Sequence, residues 1–186
     1  ALLAHSHLRD RARELALRDN ITGQRDTDAL TKVMTRGAAE ARIREILENG
    51  ALPCVMLMVD VDNFKGVNDT YGHNQGDRVL EEISGLLRRS FRASDIVCRI
   101  GGDEFMVFVV GAPEGDWVHE KTDRVIEYLA ETAIPGTKNL HVTISMGAVR
   151  SPRYGTDYEK LFVKADHALY DAKRNGKNRC FVFGED

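Results

Sequence analysis

From residue 54 to residue 61 the chain reads Cys-Val-Met-Leu-Met-Val-Asp-Val, apolar at every position but one. An unbroken apolar run of this length predicts a central strand buried on both faces, with Asp60 near its end. Two further apolar runs, Asp95-Ile96-Val97-Cys98 and Phe105-Met106-Val107-Phe108-Val109-Val110, flank Gly101-Gly102 and predict a hairpin with the glycine pair as its tight turn. Residues 140–149 alternate as a strand, and residues 179–183 predict a last short one. Helical periods lie between these runs. Val79, Leu80, Ile83, Leu86 and Leu87 mark a helix over residues 75–91, opened by the glycine-punctuated stretch Asp69–Asp77, which reads as a loop. Residues 36–49 predict a helix closed by Asn49-Gly50 and Pro53, and residues 157–175 predict one that stops at Asn175-Gly176. Residues 116–133 form a further helix holding the single tryptophan, Trp117, as a packing residue. Strands mixed with helices around a central hairpin predict an α/β sandwich, helices packed on a mostly antiparallel sheet.

The first residues follow another pattern. Residues 2–19 are rich in Leu, Ala, Arg and Glu, with Leu8 and Leu15 one heptad apart and Ala12 between them. Two heptads fit a coiled-coil seam or an amphipathic helix packed on its own domain equally well. Asn20-Ile21-Thr22-Gly23-Gln24 breaks the pattern. The domain expectation is a linker or signalling helix over residues 1–25 and one compact domain over residues 26–186.

With 186 residues, the chain is long enough for one domain with a full core. A net charge of -3 argues against a broad nucleic-acid face but leaves room for a local lysine cluster around a small phosphate ligand. The three cysteines are dispersed, and Cys54 and Cys98 lie in strand-like runs, so buried free thiols are expected rather than disulfides or a zinc site. No apolar run approaches the ~20 residues of a membrane span, and no signal peptide is visible. The chain starts without Met, so a piece of a longer protein, working in the cytoplasm, is expected.

Chemistry concentrates where strands end. Asp103 and Glu104 follow the glycine pair, and Asp60 closes the most apolar strand, where a carboxylate needs a partner or a metal. If that strand lies beside the hairpin, three hard oxygen donors converge, which suits Mg²⁺. Lys173 and Lys177 stand four apart at a helix end and can reach one ligand.

These stretches are similar to a known family. Asp60-x-Asp-x-Phe-Lys-x-x-Asn-Asp, Tyr71-Gly-His-x-x-Gly-Asp, Gly101-Gly-Asp-Glu-Phe and the terminal Ala172-Lys-x-x-Gly-Lys-Asn resemble the GGDEF family of diguanylate cyclases, as does the opening Asp28-Ala29-Leu30-Thr31 followed by Arg36. The resemblance covers residues 26–183, with all the motifs in order. It implies a fold like the palm of nucleotide polymerases and class III nucleotidyl cyclases. It implies condensation of two GTP into cyclic di-GMP and pyrophosphate by a homodimer holding one GTP per subunit. Two Mg²⁺ per site are implied, with Mn²⁺ as the alternative. Asp60, the Val61 carbonyl, Asp103 and Glu104 would hold metal, and Asp103 would also accept the 3′-hydroxyl proton. Gly101 and Gly102 would let the nucleotide approach the backbone. Lys65, Lys173 and Lys177 would stabilise phosphate charge. Phe64, Asn68 and Asp77 would hold the guanosine, the last two reading guanine.

Arg92-Ala93-Ser94-Asp95 resembles the family's Arg-x-x-Asp site for inhibitory cyclic di-GMP. Arg124 and Arg44 are the candidates for a second arginine there. A missing N-terminal sensor is the expected partner of residues 1–25. Val33 and Thr35 depart from the family's usual Leu and Asn, and Lys177 stands where Arg is frequent, which keeps charge but loses a bidentate fork. The competing reading is a non-catalytic receptor that binds cyclic di-GMP through Arg92 and Asp95. Degenerate hairpin residues are its usual mark, and they are absent here. A cyclase with relaxed base choice is a narrower alternative, against which Asp77 argues.

Overall fold

A computed structural model of the chain describes residues 26–50, 52–137 and 139–185. The helix read over residues 2–19 and the break after it lie outside them. In chain order the elements are β1 (Met34–Thr35), α1 (Arg36–Asn49), β2 (Cys54–Val61), α2 (Phe64–Tyr71), α3 (His73–Ser90), β3 (Ile96–Gly101), β4 (Glu104–Val110), α4 (Trp117–Glu131), β5 (Ile144–Ser151), α5 (Tyr158–Arg174) and β6 (Cys180–Val182). The strands form one six-stranded sheet in the order β1-β3-β4-β2-β5-β6. The four central strands pair antiparallel, and the two short edge strands pair parallel.

β2 is buried along its whole length, as its unbroken apolar run requires. Its side chains alternate between two cores. Val55, Leu57, Val59 and Val61 join Phe105, Val107 and Val109 of β4 under α3 and α4. Cys54, Met56 and Met58 join Met106 and Phe108 under α1 and α5. The result is a three-layer sandwich with a core on each face of the sheet. Cys54 and Cys98 are buried free thiols, and burial pushes Cys98 up to about 12, far from reactive thiolate chemistry. Among the described residues no helix is long and apolar enough to cross a membrane.

Three local expectations need correction. The stretch over residues 69–77 is not a loop: it closes α2 and opens α3, broken only at Gly72. Gly66 and Gly76 are helical glycines: a Cβ at Gly66 would come within 2.5 Å of the Asn63 side chain, and one at Gly76 would strike Asn68 Oδ1. Close packing, not turning, explains them. The hairpin turn is Gly102-Asp103, because Gly101 already pairs with Glu104. Residues 140–143 do not join β5; Leu140 instead closes a loop, its N–H donating to Thr137 Oγ1 at 3.1 Å and its carbonyl accepting from the Ile134 N–H at 2.7 Å.

Candidate active site

The C-terminal end of β2, the start of β4, the first turn of α2 and the end of α5 meet at one edge of the sandwich. Strand register decides what lies there. Asp60 is paired with Glu104 on one side and Ser145 on the other, and the Val61 N–H donates to the Asp103 carbonyl at 3.3 Å. The shifted turn therefore sets Asp103 in the hairpin tip and Glu104 on the strand opposite Asp60. Gly102 holds the tip with φ +54, a left-handed conformation that L side chains rarely adopt, and the space where a Cβ of Gly101 or Gly102 would project is open to 4 Å. Arg99 braces the turn from behind: Nε and Nη2 donate to the Gly102 carbonyl at 3.0 and 2.7 Å, and Nη1 reaches Asp28 at 3.2 Å. Asp28 thus links the opening Asp-Ala-Leu-Thr motif to the glycine hairpin through Arg99.

Asp60, Val61, Phe64, Lys65, Asp103, Lys173 and Lys177 line a single cleft of about 260 Å³, together with Asp62 and Asn63. Seven residues singled out from the sequence are thereby gathered. α5 ends as read at Asn175-Gly176, where the Lys177 N–H returns to the Ala172 carbonyl at 3.0 Å in a Schellman closure that carries Lys177 back toward the cleft. Lys173 does more than face phosphate space: its Nζ lies 2.8 Å from Asp60 Oδ2. Asp60 is 8% exposed. Burial pushes its carboxyl up, Lys173 pulls it down, Asp103 and Glu104 push it up again, and the net direction is up.

A hard oxygen donor set with mutually repelling carboxylates fits a small divalent cation. Among the described residues no three Asp, Glu, His or Cys side chains stand close enough to enclose an ion by themselves. A cation held by Asp60, the Val61 carbonyl and Asp103 would complete its shell from substrate and water, the habit of Mg²⁺.

Glu104, Gly101, Gly102, Asn68 and Asp77 do not line the cleft itself. Asn68 and Phe64 pack over Gly76, where an added Cβ would meet Asn68 Oδ1 and lie 3.2 Å from Phe64 Cζ. Asp77 follows on the exposed face of α3. The α2–α3 contact therefore presents Asn68 beside the helix turn that carries Asp77.

Arg92 and Asp95 lie elsewhere, in a cleft of about 370 Å³ lined also by Lys32, Arg88 and Val97. Asp95 does not pair with the Arg92 guanidinium. Its Oδ2 accepts the Arg92 backbone N–H at 2.8 Å and its Oδ1 the Val110 N–H at 3.2 Å, so it shapes the turn between α3 and β3. Among the described residues the Arg92 guanidinium has no carboxylate partner. Arg88, four residues earlier, lines the same cleft; Arg44 and Arg124 do not. Arg44 points from α1 to Glu40 and Glu159 on the other face of the sheet, and Arg124 lies 4.0 Å from Glu120 along α4. The four-residue spacing of Arg88 and Arg92 was the available signal.

The profile described as "Diguanylate cyclase, GGDEF domain" matches residues 25–179. Diguanylate cyclase DosC of Escherichia coli (strain K12) is 34% identical over 157 residues, covering 82% of this chain and 34% of DosC. The chain thus spans about a third of that relative's length. The coiled coil and GGDEF domain of DgcB from Caulobacter crescentus, solved in complex with c-di-GMP, superposes with a TM-score of 0.81 at 25% identity, covering 96% of this chain and 98% of that one. Diguanylate cyclase SiaD from Pseudomonas aeruginosa, solved with its activator SiaC, gives a TM-score of 0.78 at 34% identity, covering 97% of this chain and 71% of that one.

Proposed function

The chain belongs to the GGDEF-domain family, and on that premise we propose that it condenses two GTP molecules into cyclic di-GMP and two pyrophosphates. The observation that carries this reading is the shared cleft, in which Asp60 and Asp103 stand with Lys65, Lys173 and Lys177. Carboxylates to hold a cation and lysines to hold a triphosphate are the two halves of phosphoryl-transfer chemistry.

Each of two subunits presents one GTP. The 3′-hydroxyl oxygen of each ribose bonds to the α-phosphorus of the other nucleotide, the bond to the β-phosphate oxygen breaks, and pyrophosphate leaves. Asp103, at the hairpin tip, takes the hydroxyl proton. Lys65, Lys173 and Lys177 offset charge on the triphosphate, and Gly101 and Gly102 leave backbone space for it. Asn68 and Asp77 read guanine, with Phe64 beside them; a carboxylate facing the guanine ring N–H and amino group finds no matching donors on adenine. Asp60, the Val61 carbonyl, Asp103 and Glu104 would hold Mg²⁺ or Mn²⁺. When bound, the divalent ion neutralises triphosphate charge and lowers the pKa of the attacking hydroxyl. The cationic cleft of Lys32, Arg88 and Arg92 is read as the site where cyclic di-GMP binds and restrains turnover, its phosphates meeting guanidinium groups.

Incubation with GTP and Mg²⁺ followed by chromatographic and mass analysis of products tests the reading. The wild-type chain is expected to form cyclic di-GMP, with ATP neither consumed nor competing. Asp103→Ala is expected to lower the rate by at least about a hundredfold, the scale of losing a positioned proton acceptor. A wild-type chain that makes no cyclic di-GMP at any protein concentration ends the proposal.

A further inference from the structure

We propose that Lys173 is a resident counter-ion for Asp60, one that bars a free divalent cation from the site and gives way to a cation arriving with a triphosphate. The inference rests on the metal-site reading above. The observation behind it is the contact between Lys173 Nζ and Asp60 Oδ2 at 2.8 Å, made between side chains that are 35% and 11% exposed. Asp60 is the penultimate residue of a fully buried strand and has Glu104 opposite it, so its charge requires compensation in every state of the protein. Lys173 supplies that compensation from the last turn of α5.

The backbone beneath Lys173 is fixed. At Gly147 a Cβ would strike α5 backbone at Leu169 and Ala165, so the helix lies directly on β5. The ammonium, by contrast, sits on four rotatable carbons at the mouth of a cleft shared with Lys65 and Lys177. A divalent ion entering alone displaces the ammonium and leaves it, with two further lysines, facing the new charge in one small volume. A triphosphate changes this balance. The ammonium released from Asp60 moves onto phosphate oxygens in the same cleft, and the carboxylate is left to the incoming ion. Cation and nucleotide are thereby coupled, and each raises the other's affinity by the same factor. Lys65 and Lys177 make no contact with Asp60 among the described residues and bind phosphate without this second task.

The experiment is a Mn²⁺ titration of the nucleotide-free protein, followed by electron paramagnetic resonance. Lys173→Met is expected to bind Mn²⁺ at least about tenfold more tightly than the wild type, as removal of an adjacent opposite charge requires. Lys177→Met is expected to tighten Mn²⁺ binding by no more than about twofold, because it removes one screened neighbouring charge and leaves the Asp60 ion pair intact. Adding Asp60→Asn to Lys173→Met is expected to abolish the gained site. Metal-free GTP binding weakens in both lysine variants. Equal or weaker Mn²⁺ binding in Lys173→Met, with an Asp60-dependent site still present, overturns the counter-ion role and leaves the metal reading standing. Absence of any Asp60-dependent Mn²⁺ site, even with GTP added, overturns both. If circular dichroism finds Lys173→Met unfolded, Lys173→Gln, which is neutral but still a donor to Asp60, carries the same expectation and the same test.

Discussion

Asp62 stands two residues from Asp60 and does a different job. Its Oδ2 accepts from the Thr143 hydroxyl at 2.7 Å and the Asn178 backbone N–H at 3.1 Å, and its Oδ1 accepts from the Ser145 hydroxyl at 2.7 Å. Its own N–H donates to the Thr143 carbonyl at 2.9 Å. One buried carboxylate therefore ties the end of β2 to the approach of β5 and to the loop that follows Lys177. Asp62→Ala strands two hydroxyls and a backbone N–H, each costing about 1–3 kcal/mol when left unpaired in a buried place. Some relaxation toward water is available, so the expected loss is about 2–4 kcal/mol in urea denaturation. Asp103→Ala, at a half-buried turn position whose side chain makes no hydrogen bond among the described residues, is expected to stay within about 0.5 kcal/mol of wild type. Asp62→Ala as stable as the parent would contradict the anchoring role. In the string Asp60-Val61-Asp62 nothing separates a carboxylate that faces the cleft from one that anchors the fold. Strand pairing does so, by giving Asp62 a full set of donors and leaving Asp60 to Lys173, and that information resides in residues more than eighty positions away.

Among elements, α5 matters most, since it delivers both terminal lysines to the cleft. It rests on β5 through Ala165, Ala168 and Gly147, with no room for a side chain at the last: a Cβ there would lie 2.7 Å from the Ala168 carbonyl carbon and closer still to Leu169 N and Ala165 O. Backbone cannot swing aside as a side chain can. Gly147→Ala is expected to cost about 3 kcal/mol or more and to weaken triphosphate binding as α5 lifts from the sheet. A wild-type melting temperature for that variant would show the helix able to shift without penalty. The elements differ in how far they were legible. β2 and α1 could be read in full, because a run of eight residues ending in Val61 and a helical period closed by Asn49-Gly50 each have one physical interpretation. α2 could not, since Gly66, Gly72 and Gly76 look like turn residues until Asn63 and Asn68 are seen to fill the space beside two of them. The hairpin turn was displaced by one residue for a similar reason: two adjacent glycines give no indication of which begins the turn, and pairing of Gly101 with Glu104 decides it. The cleft was legible because each of its motifs lies at a strand or helix end, where the sequence marks both the element and its boundary. The second arginine of the Arg92 cleft was marked only by the four-residue spacing of Arg88 and Arg92, which belongs to no motif.

At the scale of the whole molecule, the cleft in which Asp60 and Asp103 meet Lys65, Lys173 and Lys177 opens at an edge of the sandwich. The proposed product contains two nucleotides joined by two phosphodiester bonds. In the proposed reaction each chain presents one triphosphate and the second α-phosphorus comes from another chain, so turnover would require two chains with their clefts face to face. The chain carries a net charge of -3, which provides no general attraction between copies. Encounter is therefore limited by concentration unless a tether raises the local concentration to the millimolar range. Specific activity of this chain is expected to rise in proportion to its concentration at low protein and to level off when pairing saturates. Fusion to a dimeric coiled coil at the N-terminus is expected to remove the dependence and raise activity at nanomolar protein by about a hundredfold or more, the usual scale of such linkage. The measurement is initial rate of cyclic di-GMP formation against protein concentration, with product kept low so that the proposed product binding near Arg92 does not intervene. A specific activity that stays constant on dilution through the nanomolar range, with the chain monomeric by sedimentation, would mean that one chain completes both bonds, and the face-to-face arrangement would have to be abandoned.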